Sequence, residues 1–431
     1  MNKISFSSFA VVVVVMGLIC YAFTMPSAAQ SFDYVANPPR QAVSPDIVSP
    51  GIHFGCETTQ RCYRPSAVRA AYNFPSNLDG SGQTILIVDA FGSPTIEQDL
   101  AQFDSAFGIN PPPSFTILCP EGGCPVFDPN DTYHGELGWS LETSLDVEYA
   151  HAMAPGANIV LVVASTSSGN AINSAEAAAI KLFPGSIMSQ SFGIPEYLVH
   201  GNNAQIMQAH GNYVTATAAG ITLLASTGDF GATNGGPANV TNAGFPASDP
   251  LTTAVGGTEG NPYFSGLLVN GSYGAEQVWN EPQFGVATGG AASRFFAVPS
   301  YQSGLGLQSR TTPDVAYNAT LQGGVLVLDG TLGGFFLVGG TSAGSPQWAA
   351  IIALANQKAG HPLGFVNPAI YKVAESSAYS NDFHDITKGD NKLFETQSGF
   401  SAGTGYDFAT GWGTPNVSNL IPDLVDSAAS H

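Results

Sequence analysis

Four stretches of the chain are continuously apolar over the length of a strand: TILIVDAF (84–91), NIVLVVAS (158–165), SIMSQSFG (186–193) and ITLLASTG (221–228). Between them lie segments with helical spacing or rich in alanine, at 96–107, 170–182 and 203–218. An apolar run without polar alternation is what a strand needs when both of its faces are covered, and the intervening helices supply the cover. The pattern predicts an α/β fold on a mostly parallel sheet, with functional residues at the carboxyl ends of the strands. A longer helical segment, 135–153, spaces Leu137, Leu141 and Leu145 four residues apart, so a buried leucine stripe is expected there. From 258 to 335 the chain is rich in Gly, Asn and Tyr, which predicts long surface loops with some antiparallel strands. FFLVGG (335–340) then reads as a strand, and SPQWAA (345–350) opens a helix with proline in its first turn. No repeat or linker interrupts 63–425, so residues 63–431 are expected to form one domain.

Composition adds a setting. Of 431 residues 44% are hydrophobic and 10% charged, the balance of a compact chain and not a disordered one. The net charge is -20 with only 12 Lys and Arg, which argues against nucleic acid or an anionic membrane surface as a partner. It also suits an acidic medium, because self-repulsion fades as carboxylates are protonated near pH ~4. Residues 1–29 combine Lys3, an apolar run over 9–23 and the small residues Ser27, Ala28 and Ala29, the pattern of a cleaved secretory signal. The run is shorter than the roughly 20 residues of a spanning helix, so a secreted, monomeric protein free of the membrane is expected. Residues 30–62 read as a short extended lead-in. Outside the leader, Cys56, Cys62, Cys119 and Cys124 allow three disulfide connectivities; the two local pairs are favoured because each closes a short loop. Neither spacing is the C-x-x-C of common zinc modules. Sequons stand at Asn130, Asn239, Asn270, Asn318 and Asn416.

Three stretches could carry chemistry. Ser342, in GGTSAGSPQWAA (339–350), would lie at a helix N-terminus, where free backbone N–H groups can meet a developing oxyanion. Thr341 or Ser342 also reads as an ordinary N-cap. A serine nucleophile needs a base, and none of the eight histidines sits in a matching context. Glu142 and Asp146, four apart on the 135–153 helix, share the face beside the leucines. On an exposed helix they would be a solvated, mildly repulsive pair; when partly buried, two carboxylates can share a proton and leave one as a base. Asp229, in STGDFG (226–231), follows a strand and is either an Asx turn or a site residue.

Taken together, ETSLDVEYAHAMAPGANI (142–159), STGDFG (226–231), FPASDPLTTAVGGT (245–258) and GGTSAGSPQWAA (339–350) resemble, in order and separation, the sedolisin family of serine-carboxyl peptidases. The resemblance runs from about residue 63 to 424. It implies a subtilisin-like fold, a mostly parallel central sheet with helices on both faces, in which glutamate replaces the histidine base. It further implies Ser342 as nucleophile, Glu142 as general base and then acid, Asp146 as the group orienting Glu142, and a protonated Asp229 as oxyanion donor. Asp89 takes the place of an accessory acid beside the base. The implied activity is that of a secreted, acid-active serine endopeptidase, or a tripeptidyl-peptidase, acting on proteins or peptides. A carboxylate base titrates roughly two units below histidine, so such a pair works where histidine would be protonated.

The resemblance also implies one structural Ca2+, with carboxylate oxygens from Asp385 and Asp407 and backbone carbonyls from Ile386, Gly403 and Gly405. Hard oxygen donors from glycine turns suit Ca2+ better than a transition metal. One departure is the lead-in: relatives carry a large N-terminal propeptide, and residues 30–62 are too few for a globular one. Unaided folding, a separate folding partner or a shortened paralogue are the expectations that follow. The alternative function is an inactive secreted binding or scaffold protein on a peptidase fold.

Overall fold

The computed structural model describes residues 62–131, 135–199, 204–260 and 273–429, with the backbone of a short strand at Ala42–Val43. The leader, nearly all of the lead-in, Cys56 and the sequon at Asn270 lie outside the described residues.

The apolar runs become the strands of one sheet: β1 (Thr84–Ala90), β2 (Phe115–Leu118), β3 (Asn158–Ala164), β4 (Ile187–Gln190), β5 (Thr222–Ser226) and β6 (Thr252–Glu259). They are parallel throughout, in the spatial order β6-β5-β4-β1-β3-β2. At the far end β6 is joined by β7 (Gln277–Val278), antiparallel, and β8 (Val315–Asn318), parallel. The chain leaves β1 towards β2 and β3 and returns to β4 on the other side. That reversal makes the carboxyl ends of β1 and β4 the topological switch point, the usual place for a site in such a sheet.

Side chains along β1 alternate between two cores, Ile85 and Ile87 in one, Leu86 and Val88 in the other, as the two-residue strand period requires. Helices α1 (Ile96–Phe107), α2 (Glu136–Met153), α3 (Gly169–Leu182), α4 (Ala204–Ala218), α5 (Gly344–Ala359) and α6 (Val417–Ala428) supply the cover. α2, α5 and α6 pack over the first core, α3 and α4 over the second. α5 is rich in helix formers and ends where Gly360 turns left-handed, its N–H closing on Asn356 O. Trp348, Ile351, Ile352 and Leu354 are wholly buried in it, each contributing about 1.5–3 kcal/mol of burial energy as an upper bound.

The leucine stripe is not what organises α2. Leu137 and Leu141 are half-buried, only Leu145 is buried, and every residue from Glu142 to Met153 is buried whatever its chemistry. The cause is packing on several sides, by α1, by α5 and by a hairpin of β9 (Gly324–Asp329) and β10 (Gly334–Val338). This hairpin belongs to a separate small sheet, with Cys62–Tyr63 parallel to β9 and Ala42–Val43 antiparallel to β10. The 258–335 segment thus departs from the expected surface loops: β8 and β9 are buried strands. Antiparallel pairs do occur there, Asn280–Glu281 with Val286–Ala287 and Ala292–Ala297 with Ser309–Thr311.

Cys119 and Cys124 form a disulfide, and Cys62 is also disulfide-bonded, to a partner outside the described residues. Asn318 cannot carry a glycan in the folded state, because it is buried and its Nδ2 donates to Gly323 O at 2.9 Å. Among the described residues no helix is long and apolar enough to cross a membrane.

Candidate active site

Three carboxylates meet near the carboxyl end of β1. Asp89, near the end of β1, is fully buried and neither of its oxygens has a hydrogen-bond partner. α2 sets Glu142 and Asp146 one turn apart on one face, and each feels the charge of Asp89. Burial is the first reason that all three hold protons well above the ordinary carboxylate range. For Glu142 the Asp146 charge adds to it, while the Ser342 hydroxyl pulls the other way. Three such groups in a dry site cannot all ionise, so they titrate as a unit.

Ser342 reaches this cluster from the hairpin. After β10, Gly340 turns at φ 124°, a conformation that excludes other residues. A 3-10 turn, Thr341–Ala343, then runs into α5. The N-cap expectation for Thr341 or Ser342 fails: α5 starts at Gly344 and no side chain caps it. The Thr341 hydroxyl is committed elsewhere. Ser342 is fully buried, and its Oγ donates to Ser191 O at 3.4 Å, while Ser191 Oγ donates to Ser342 O at 3.3 Å. Glu142 Oε1 has no hydrogen-bond partner, and the Ser342 hydroxyl lies near enough to the Glu142 carboxyl to oppose the rise in its proton affinity.

Asp229 follows β5 after Gly228, which turns at φ 100°. Its Oδ1 accepts from Thr341 N at 2.9 Å and from Thr341 Oγ1 at 2.8 Å, and its Oδ2 is buried without a partner. Burial pushes this carboxyl up to about 7, against the two bonds from Thr341. A neutral carboxylic acid beside a serine can donate a hydrogen bond to a forming oxyanion, and a nearby carboxylate of raised proton affinity can accept the hydroxyl proton. His151, the histidine of α2, takes no part: its Nε2 lies 3.0 Å from Asn110 O and 3.2 Å from Asp104 Oδ1.

No family model matches the chain. It is 35% identical over 382 residues to kumamolisin of Bacillus sp. (strain MN-32), covering 85% of this chain and 64% of that protein. It is 29% identical over 385 residues to sedolisin of Pseudomonas sp. (strain 101), covering 86% and 63%. Among solved structures, Pseudomonas sedolisin, a serine-carboxyl proteinase complexed with two molecules of pseudo-iodotyrostatin, matches with a TM-score of 0.72 at 26% identity. That match covers 84% of this chain and 97% of the solved one. The chain belongs to the sedolisin family. It spans less than two thirds of the length of the two curated relatives but nearly all of the solved sedolisin, whose subtilisin-like α/β fold it shares.

In this sedolisin-family chain each of the two carboxylates suggested as calcium ligands accepts a backbone N–H from another suggested residue. Asp385 accepts from Gly405 N at 3.1 Å and from the Tyr379 hydroxyl at 2.9 Å. Asp407 accepts from Gly403 N at 2.9 Å, Ala409 N at 2.9 Å and Thr410 N at 2.8 Å. Burial is the first reason that the Tyr379 hydroxyl is pushed up, and the charge of Asp385, its hydrogen bond and the charge of Asp407 add to it. Among the described residues no group of three or more His, Cys, Asp or Glu is set to hold a metal; two carboxylates would need backbone carbonyls to complete a shell. An oxygen-only set on a glycine loop fits Ca2+.

Two residues at the site escaped the sequence reading. Ser191, after β4, engages Ser342 through both backbone and side chain, and its place at the carboxyl end of a strand at the switch point was the available signal. Thr341 looked like a cap and is instead the partner of Asp229.

Proposed function

We propose that the protein is a secreted, acid-active serine-type peptidase that hydrolyses peptide bonds of proteins or peptides through an acyl-enzyme. The reading rests above all on one observation: Ser342 is buried with Glu142, Asp146, Asp89 and Asp229, four carboxyls that burial drives towards their protonated forms. No histidine stands among them.

Ser342 Oγ attacks the scissile carbonyl carbon as Glu142 takes the hydroxyl proton. Asp146 orients Glu142, and Asp89 is an accessory acid that shares the protons of the cluster. The carbonyl oxygen becomes an oxyanion, accepting from Ser342 N–H and the Asp229 carboxylic acid. Collapse breaks the C–N bond, with Glu142 returning its proton to the leaving amine. Water, deprotonated by Glu142, then attacks the acyl ester, and Ser342 recovers its proton as the new carboxyl terminus departs.

The pH sense follows. Activity needs one proton removed from the Glu142 cluster and one retained on Asp229, so it is lost above about 7 as Asp229 ionises. Export follows from the apolar stretch over 9–23. Asp385, Asp407 and the carbonyls of Ile386, Gly403 and Gly405 would hold one Ca2+, which ties the C-terminal loop together and takes no part in the chemistry. The test is hydrolysis of denatured protein across the pH range with products identified by mass spectrometry. Acid-limited cleavage that Ser342→Ala lowers by about 10⁴-fold or more is expected; an optimum near pH 8, or an active Ser342→Ala, overturns the reading.

A further inference from the structure

Thr341 holds three hydrogen bonds whose directions fix one another. Gly228 N donates to its Oγ1 at 3.1 Å, so the hydroxyl accepts there and its own proton must go elsewhere. The acceptor is Asp229 Oδ1 at 2.8 Å, and the same oxygen takes Thr341 N–H at 2.9 Å. An oxygen receiving two donors is an acceptor only. A neutral Asp229 must then carry its proton on Oδ2, the oxygen that is buried without a partner. All of this happens one residue before Ser342, in the same 3-10 turn.

We propose that Thr341 is a positioning residue that assigns the Asp229 proton to Oδ2 and so aims it at the oxyanion. It touches no substrate and acts through Asp229, an inference that rests on the oxyanion-donor role given to Asp229 above. The arrangement couples two requirements. The Gly228 N–H sets the hydroxyl, and the hydroxyl sets the carboxyl, so the proton is in place before substrate arrives and no reorganisation is needed as charge develops. The same two bonds also favour the ionised carboxyl, which makes Thr341 a moderator of the pH at which the donor fails.

Thr341→Val keeps the shape and the backbone N–H but removes the hydroxyl. Losing one hydrogen bond of ordinary net worth predicts a fall in kcat of about tenfold, with KM within about twofold of its starting value. Because the lost bond favoured the ionised form, the basic limb of the kcat profile moves to higher pH. Thr341→Ser restores both kcat and the limb. A merely structural role would lower kcat without moving the limb, or would not be rescued by serine. Either result overturns the proposal, as does a Thr341→Val enzyme with unchanged kcat and limb. If valine prevents folding, Thr341→Ala gives the same comparison. Asp229→Ala separates this inference from its premise: full activity there removes the oxyanion reading itself, whereas an inactive Asp229→Ala beside a silent Thr341→Val removes only the role of Thr341.

Discussion

Asp229→Asn tests the oxyanion donor most sharply, because asparagine can occupy the same three-way arrangement without titrating. Its Oδ1 would accept from Thr341 N and Oγ1 at the observed 2.9 and 2.8 Å, and its Nδ2 would replace Oδ2 with N–H groups pointing the same way. The buried Oδ2 site has no partner, so both of those N–H groups are unsatisfied in the free enzyme, one donor more than the O–H they replace, costing about 1–3 kcal/mol of stability. Catalytically the amide remains a donor, and kcat below neutrality should stay within about tenfold of the starting enzyme. Asp229→Ala, with no donor, should fall by about 10²–10³. The pH sign is explicit. Burial raises the folded carboxyl to about 7; it donates while protonated and stops as pH rises through that value, whereas the amide has no such step. The assay is kcat at saturating peptide from about pH 3 to about pH 9, with intrinsic fluorescence at each pH to exclude unfolding. An asparagine enzyme with the same basic limb, or one as slow as alanine, would refute the reasoning.

The calcium reading predicts that EDTA at mild acidity lowers the melting temperature by several degrees, about what a loss of 1–2 kcal/mol produces in a domain this large, and that Asp385→Asn abolishes the sensitivity; an indifferent melt removes the ion. Glu176 on α3 is buried, with Oε2 unpartnered, and burial raises it to about 8. Its folded value exceeds the unfolded one, so folding retains a proton and stability falls as pH climbs from about 4.5 towards 8, by a few kcal/mol on the order of 1.4 per unit. Glu176→Gln should flatten that part of the urea-midpoint profile, and an unchanged slope would count against it. His151→Ala should lower stability while leaving kcat within about threefold, since the ring meets Asn110 O and Asp104; a kcat collapse would return histidine to the mechanism.

Strand-length apolar runs were legible because both faces of the sheet are covered, and β1, β3, β4 and β5 lie where those runs do. The helix bearing Glu142 was also legible, but its leucines misled: packing on several sides buries polar and apolar positions alike, which erases the stripe that periodicity looks for. β8 and β9 hid in a segment rich in turn-forming residues, since pairing partners far along the chain decide burial there and local composition does not. At the site, Ser342, Glu142, Asp146, Asp89 and Asp229 could be picked out through family resemblance. Thr341 could not, because a threonine before a helix has a common local explanation and its true partner lies 112 positions away.

That separation has a consequence in time. Asp229 is held by Thr341, which arrives with the hairpin and α5, after the rest of the central sheet has been synthesised. At about 5–20 residues per second, the ribosome needs on the order of ten seconds to cover the distance. During that interval the emerging chain carries Glu142 and Asp229 but not Ser342, and the Asp229 carboxyl has no Thr341 to fix its proton. A polypeptide that ends before residue 341 therefore lacks the nucleophile that the proposed reaction needs.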